Sequence, residues 1–176
     1  HTKAAVEMME QVIASDSEFS PEALIQLIDT HGAERRPLRP DLPELAGSYA
    51  AEHRLSELGS ELRRVHATSL AMVGQFASAF KALEKNSELD SVNLNRTATN
   101  SVLHLLADNA DDVTFLTFAL PRTNSDENAF TPDLETKLAE RLLALGFAEQ
   151  AYAILDQGKT SSRSESNRLW RAEIPL

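Results

Sequence analysis

Five histidines and a cluster of aspartates are the side chains best suited to chemistry in this sequence. The histidines are His1, His31, His53, His66 and His104. Two histidines can share a metal when a helix places them four residues apart, as in H-E-x-x-H. No pair here has that or another compact ligand spacing. His66 and His104 fall within apolar helical stretches, so they are expected as partly buried, hydrogen-bonded core residues. Asp108, Asp111 and Asp112 could in principle hold Mg²⁺ or Ca²⁺, but the glycine-punctuated loop of an EF-hand is missing. They stand where a helix begins, and capping explains them. Neither G-x-S-x-G, G-x-G-x-x-G nor a P-loop occurs, and there are only six glycines. There is no cysteine, which excludes disulfides, thiol catalysis and Cys-ligated zinc. No catalytic residue, metal ligand or cofactor is expected. What remains for these residues is association.

Composition bounds the class. The chain has 176 residues, enough for a real core. Hydrophobic residues make up 42% and aromatics 6%, with Ala and Leu abundant. Unbranched side chains lose little freedom in helices, and strand-like runs are nearly absent, so an all-α fold is expected. The net charge of −10 is uneven. Residues 84–157 hold 13 acids and 5 bases, a net −8; residues 159–176 hold 2 acids and 4 bases, a net +2. The acidic middle repels phosphate backbones and argues against nucleic acid. It serves as a solubilising surface and, in a sharper reading, attracts a basic partner. No apolar run approaches about 20 residues, so membrane insertion is not expected. Lack of cysteine leaves the compartment open, with cytoplasm preferred over periplasm. Starting at His1, the chain is expected to be a processed form or a piece of a longer, bacterial protein.

The elements follow from periodicity and punctuation. Val6, Met9, Val12 and Ile13 form one helical stripe. Ser20-Pro21 reads as a capped start to a second helix, carrying Leu24, Leu27, Ile28 and His31 and closed by Gly32. Residues 1–34 are thus expected as an N-terminal hairpin. Residues 35–43, with Arg35, Arg36, Pro37, Arg39, Pro40 and Pro43, are expected as an extended linker with a small basic patch. A helical-repeat region should fill 44–158, with Gly59 dividing two helices and another helix from Phe76 to Glu84. Residues 86–99 and 122–130 read as polar loops, and Pro121 as the end of a helix through Val113, Leu116 and Leu120. Asn95-Arg96-Thr97 matches a glycosylation triplet that is common by chance. Thr131-Pro132 starts a helix bearing Leu134, Leu138, Leu142 and Leu145; Gly146 makes a turn, and Gly158 closes the next helix. Residues 159–176 are expected as a C-terminal capping helix or tail.

One segment repeats. Aligning Gly74 with Gly146, at an offset of 72 residues, brings Ala67 onto Ala139, Leu70 onto Leu142, Ala79 onto Ala151 and Leu83 onto Leu155. Helices joined by a short turn approach closely only where side chains are small. This order of small residue, large apolar residue, glycine and small residue resembles the tetratricopeptide-repeat family. The places where that family carries a bulky residue in helix one hold Arg63 and Glu135, and its closing proline is missing from both copies. The resemblance implies α-α hairpins stacked as a short solenoid, with an irregular helical bundle as the alternative. It also implies a groove lined by first helices, with Arg64, Thr68, Lys137, Glu140 and Ala144 facing a peptide or partner helix. On that basis the expected role is a non-catalytic protein–protein interaction scaffold, with a homodimer left open. The alternatives are a structural helical domain of a larger enzyme or assembly, and a small regulatory enzyme with an unrecognised site.

Overall fold

A computed structural model describes residues 2–123 and 130–156. Among them every regular element is helical. The helices are α1 (Thr2–Ala14), α2 (Ser20–Ala33), α3 (Leu42–Glu52), α4 (Glu57–Met72), α5 (Phe76–Asn86), α6 (Val92–Asn109), α7 (Asp112–Thr123) and α8 (Pro132–Ala144). A further helix, α9, covers 148–156. The chain divides into two compact units, residues to Leu105 and residues from Leu106, and α6 spans the division.

In the first unit α2 supplies the centre. Leu24, Leu27 and Ile28 are buried against Leu42, Ala46 and Tyr49 of α3 and Leu62 and Val65 of α4. Val6, Met9 and Ile13 of α1 pack onto the same core. Leu38 is buried there too, in the segment expected as an extended linker. The spacer therefore runs over the core instead of leaving it. Its basic side chains stay at the surface, where Arg39 pairs with Asp41 and Arg36 with Glu34. In the second unit Phe115 and Ala119 of α7, Leu134, Leu138 and Leu142 of α8, and Ala151 and Ile154 of α9 are buried.

Helix ends follow backbone chemistry that composition only partly reveals. Gly32 does not close α2. The left-handed residue is Arg35 (φ 52°), where Arg35 N–H reaches the Gly32 carbonyl and Arg36 N–H the His31 carbonyl. Ser20 does not cap α2 either; its hydroxyl donates to the Val12 carbonyl at 3.0 Å, pinning α2 to α1. Gly59 lies inside α4. Ser56 caps that helix by accepting from Gly59 N–H, and a Cβ at Gly59 would overlap the His53 carbonyl. The division between helices falls at 53–56, and glycine is required because that loop folds onto the helix.

The stretch 86–99 was expected as a loop, yet α6 begins within it. Thr97 and Ser101 hydroxyls bond back to carbonyls four residues earlier, which lets polar residues ride on a helix. Ala98, Val102, Leu103, Leu106 and Ala107 supply its buried face. Pro121 does not stop α7, which continues to Thr123, and Val113 faces solvent while Phe115 faces the core. Residues 124–129, within the second expected loop, and Gly158 with the tail lie outside the described residues.

His66 of α4 is half-buried, and a Cβ added at Gly47 of α3 would stand 3.1 Å from its Nε2. Burial, with a smaller push from Lys85, lowers its pKa below the ordinary histidine value. The unfolded chain then takes up a proton at a higher pH than the folded one. Stability should fall as pH drops below about 6.5 and level off below the folded value. Urea unfolding between pH 7.5 and 5.5 should show a steeper loss for the native chain than for His66→Gln; equal slopes would exclude this role.

Candidate functional site

The aligned copies form two hairpins with the same backbone hydrogen bonds. At the end of α4, Gly74 (φ 80°) donates to the Ala71 carbonyl and Gln75 to the Leu70 carbonyl, at 3.0 and 2.8 Å. At the end of α8, Gly146 (φ 87°) donates to Leu143 and Phe147 to Leu142, at 3.0 and 2.9 Å. Nothing lies within 4 Å of a Cβ at either glycine, so φ alone requires them. Ala67 and Ala79 flank the first turn and Ala139 and Ala151 the second, all buried. The next helices start alike: Ala79 N–H meets the Gln75 carbonyl and Ala151 N–H the Phe147 carbonyl.

The five residues expected to face a partner have differing surroundings. Arg64 is mostly buried. Its guanidinium makes a two-pronged pair with Asp29 of α2, at 2.9 and 2.8 Å, and a further bond to Glu61 at 2.8 Å. The Asp29 hydrogen bonds, opposed by burial, raise its pKa. Thr68, one turn on, donates to the Arg64 carbonyl. In the second unit Lys137 pairs with Asp108 at 2.8 Å. Glu140 and Ala144, on the same face of α8, are exposed. The two cations are thus engaged within the chain, whereas Glu140 and Ala144 are open to solvent.

Two arginines that sequence reasoning missed have larger roles. Arg63 and Asp90 are both nearly buried, at 7% and 5% side-chain exposure. The Arg63 guanidinium holds both carboxylate oxygens of Asp90, the Arg54 carbonyl at 2.9 Å and the Ser60 hydroxyl at 2.8 Å. It ties the approach to α4 to the chain leaving α5. Arg141 donates to the Leu106, Ala107 and Ala110 carbonyls at the end of α6, and to Asp112 at 3.2 Å. Its guanidinium lies 4.4 Å from the centre of the Phe115 ring. The last carbonyls of a helix lack partners of their own, and here a neighbouring helix supplies them. The signal is in the spacing: Arg63 follows Leu62 and stands two residues before Val65, and Arg141 lies between Leu138 and Leu142. An arginine among core-facing positions must find acceptors inside.

The aspartate cluster is distributed among structural tasks. Asp111 accepts from Thr114 N–H at 3.0 Å and from its hydroxyl at 2.6 Å, bonds that lower its pKa. Asp108 and Asp112 hold Lys137 and Arg141. Among the described residues no group of three or more His, Cys, Asp or Glu side chains could hold a metal ion. His31 Nδ1 donates to the Pro37 carbonyl at 3.0 Å. Asn95, of the glycosylation triplet, stands in the first turn of α6 with its side-chain oxygen buried. Among the described residues no helix is long and apolar enough to cross a membrane. Comparison with protein-family models, curated proteins and solved structures found no match.

Arg141→Lys keeps the charge but loses the fork that reaches several carbonyls. It should cost about 1–3 kcal/mol in denaturant unfolding. Lys137→Met, which removes a partly exposed pair, should cost about 0–1 kcal/mol. The reverse order would show that Arg141 is not the tie between α6 and α8.

Proposed function

We propose that this chain is a non-catalytic protein–protein interaction scaffold, related in design to tetratricopeptide arrays, whose hairpins present helical faces to a peptide or partner helix. The observation that supports it most is the recurrence, at Gly74 and Gly146, of a left-handed glycine with the same two turn hydrogen bonds between helices that carry buried alanines. A repeated hairpin buries one face against its mate and offers another to whatever lies beside it. The arrangement of charge agrees with this reading. Arg63, Arg64, Lys137 and Arg141 bind carboxylates and carbonyls of the chain itself and serve to fix the helices. Toward the end of α8, Glu140, Leu143 and Ala144 lie at the surface.

Partner recognition is therefore assigned to Glu140 and Ala144, while Arg64 and Lys137 hold the surface in place. Reversal of charge at Arg64 would set three acids together and act on stability. Glu140→Lys with Ala144→Arg changes the exposed face alone. A protein captured by the native chain and then purified should bind this double variant about tenfold more weakly, a change of about 1.4 kcal/mol, with an unchanged circular dichroism spectrum. Undiminished binding by a folded double variant would refute the assignment.

A further inference from the structure

The two hairpins are alike in backbone and unlike in what covers them. At the offset of 72 residues, Phe76, Phe80 and Leu83 of α5 correspond to Ala148, Tyr152 and Leu155 of α9. The α5 residues form an i, i+4, i+7 stripe and are 4%, 2% and 4% exposed. On α9 the same stripe is open: Tyr152 is 67% exposed, Ala148 is exposed and Leu155 is half-buried. The backbone does not cause the difference, because both helices leave equivalent turns. A shallow depression of about 390 Å³ runs along this stripe, lined by Glu149, Tyr152, Ala153 and Leu155 among others.

Charge indicates what would fill it. Lys137 and Arg141 are the only cations among residues 130–156. Both face inward, one on Asp108 and the other on Asp112 and the α6 carbonyls. The exposed charges of α8 and α9 include Asp133, Glu140 and Glu149. An apolar stripe with the exposed Glu149 at its edge complements a surface that is apolar in the centre and cationic at its edge. The i, i+4, i+7 spacing offers ridges that another helix can enter.

We propose that α9 is a docking site for a basic amphipathic helix of a partner protein. An aliphatic ridge of that helix covers Tyr152 and Leu155, and a lysine or arginine beside it meets Glu149. This rests on the scaffold reading above and adds the surface and the chemistry of the partner. Burial of a tyrosine and a leucine supplies the apolar part, and Glu149 sets the sign of the partner.

Two synthetic helical peptides of about 18 residues, long enough to form a stable helix on docking, test it with the full chain. One carries a leucine stripe edged by lysines; the other has glutamates in place of the lysines. A third, scrambled peptide keeps the lysines but breaks the stripe. The lysine peptide should bind, and the other two should bind at least tenfold more weakly. Tyr152→Ala and Glu149→Lys should each weaken it about tenfold, whereas Glu22→Lys, at an exposed position of α2, should change it less than twofold. Equal binding of the scrambled peptide would reduce the effect to net charge and overturn the proposal. So would a self-associated chain made monomeric by Tyr152→Ala, since a second copy would then occupy the stripe. If no peptide binds while a captured protein still depends on Glu140 and Ala144, the α9 site fails and the scaffold reading stands. If neither holds, both fail.

Discussion

The close meeting of two helices across a left-handed glycine is the constraint on which the rest depends. Gly74 and Gly146 turn the chain in a conformation that costs an L side chain about 1 kcal/mol or more. Each turn brings the following helix back within a few residues. The returning helix fits only because Ala79 and Ala151, wholly buried, present no more than a methyl group. Larger side chains then find their places around the crossing, Leu70 and Leu83 in one hairpin and Leu142 and Ile154 in the other. The left-handed turn after α2 has the same two hydrogen bonds although arginine occupies it, so the geometry is not bought with glycine alone.

Ionic ties do what the apolar core leaves undone. Arg63 with Asp90 is nearly dry, and such a pair is stable only when its remaining donors are also satisfied, as the Arg54 carbonyl and Ser60 hydroxyl do here. Removing one member of such a pair costs about 3–5 kcal/mol, because the other charge is then buried alone. Arg141 answers a different need, the unpaired carbonyls at the end of α6. In both units a guanidinium on the first helix of a hairpin reaches the element beside it. These ties hold neighbouring helices and the segments between them in register.

Much of the fold was legible in the sequence, because burial follows helical spacing. The stripes Leu24–Ile28 and Leu134–Leu142 and the glycine turns could be read directly. The start of α6 could not, since Asn, Ser and Thr favour loops locally and are overruled by the apolar face from Ala98 onward. Ser20 and Gly32 had the right types for helix ends, yet the hydroxyl found the Val12 carbonyl and the left-handed position fell to Arg35. The partner-facing residues were harder still. Spacing placed Arg64 and Lys137 on a helix face, but Asp29 and Asp108, distant in sequence, take hold of them. Only tertiary structure shows which exposed charge is already paired.

A single pair of substitutions on α9 tests the central claim most directly. Ala151 is wholly buried, while Ala148, three residues earlier, is exposed. Tryptophan at Ala151 overfills the crossing and should lower the unfolding free energy by about 3 kcal/mol or more, at the upper end of overpacking costs. Tryptophan at Ala148 should change it by less than about 0.5 kcal/mol. Equal, small effects at the two positions would mean that α8 and α9 do not nest through alanine, and the hairpin account would fail.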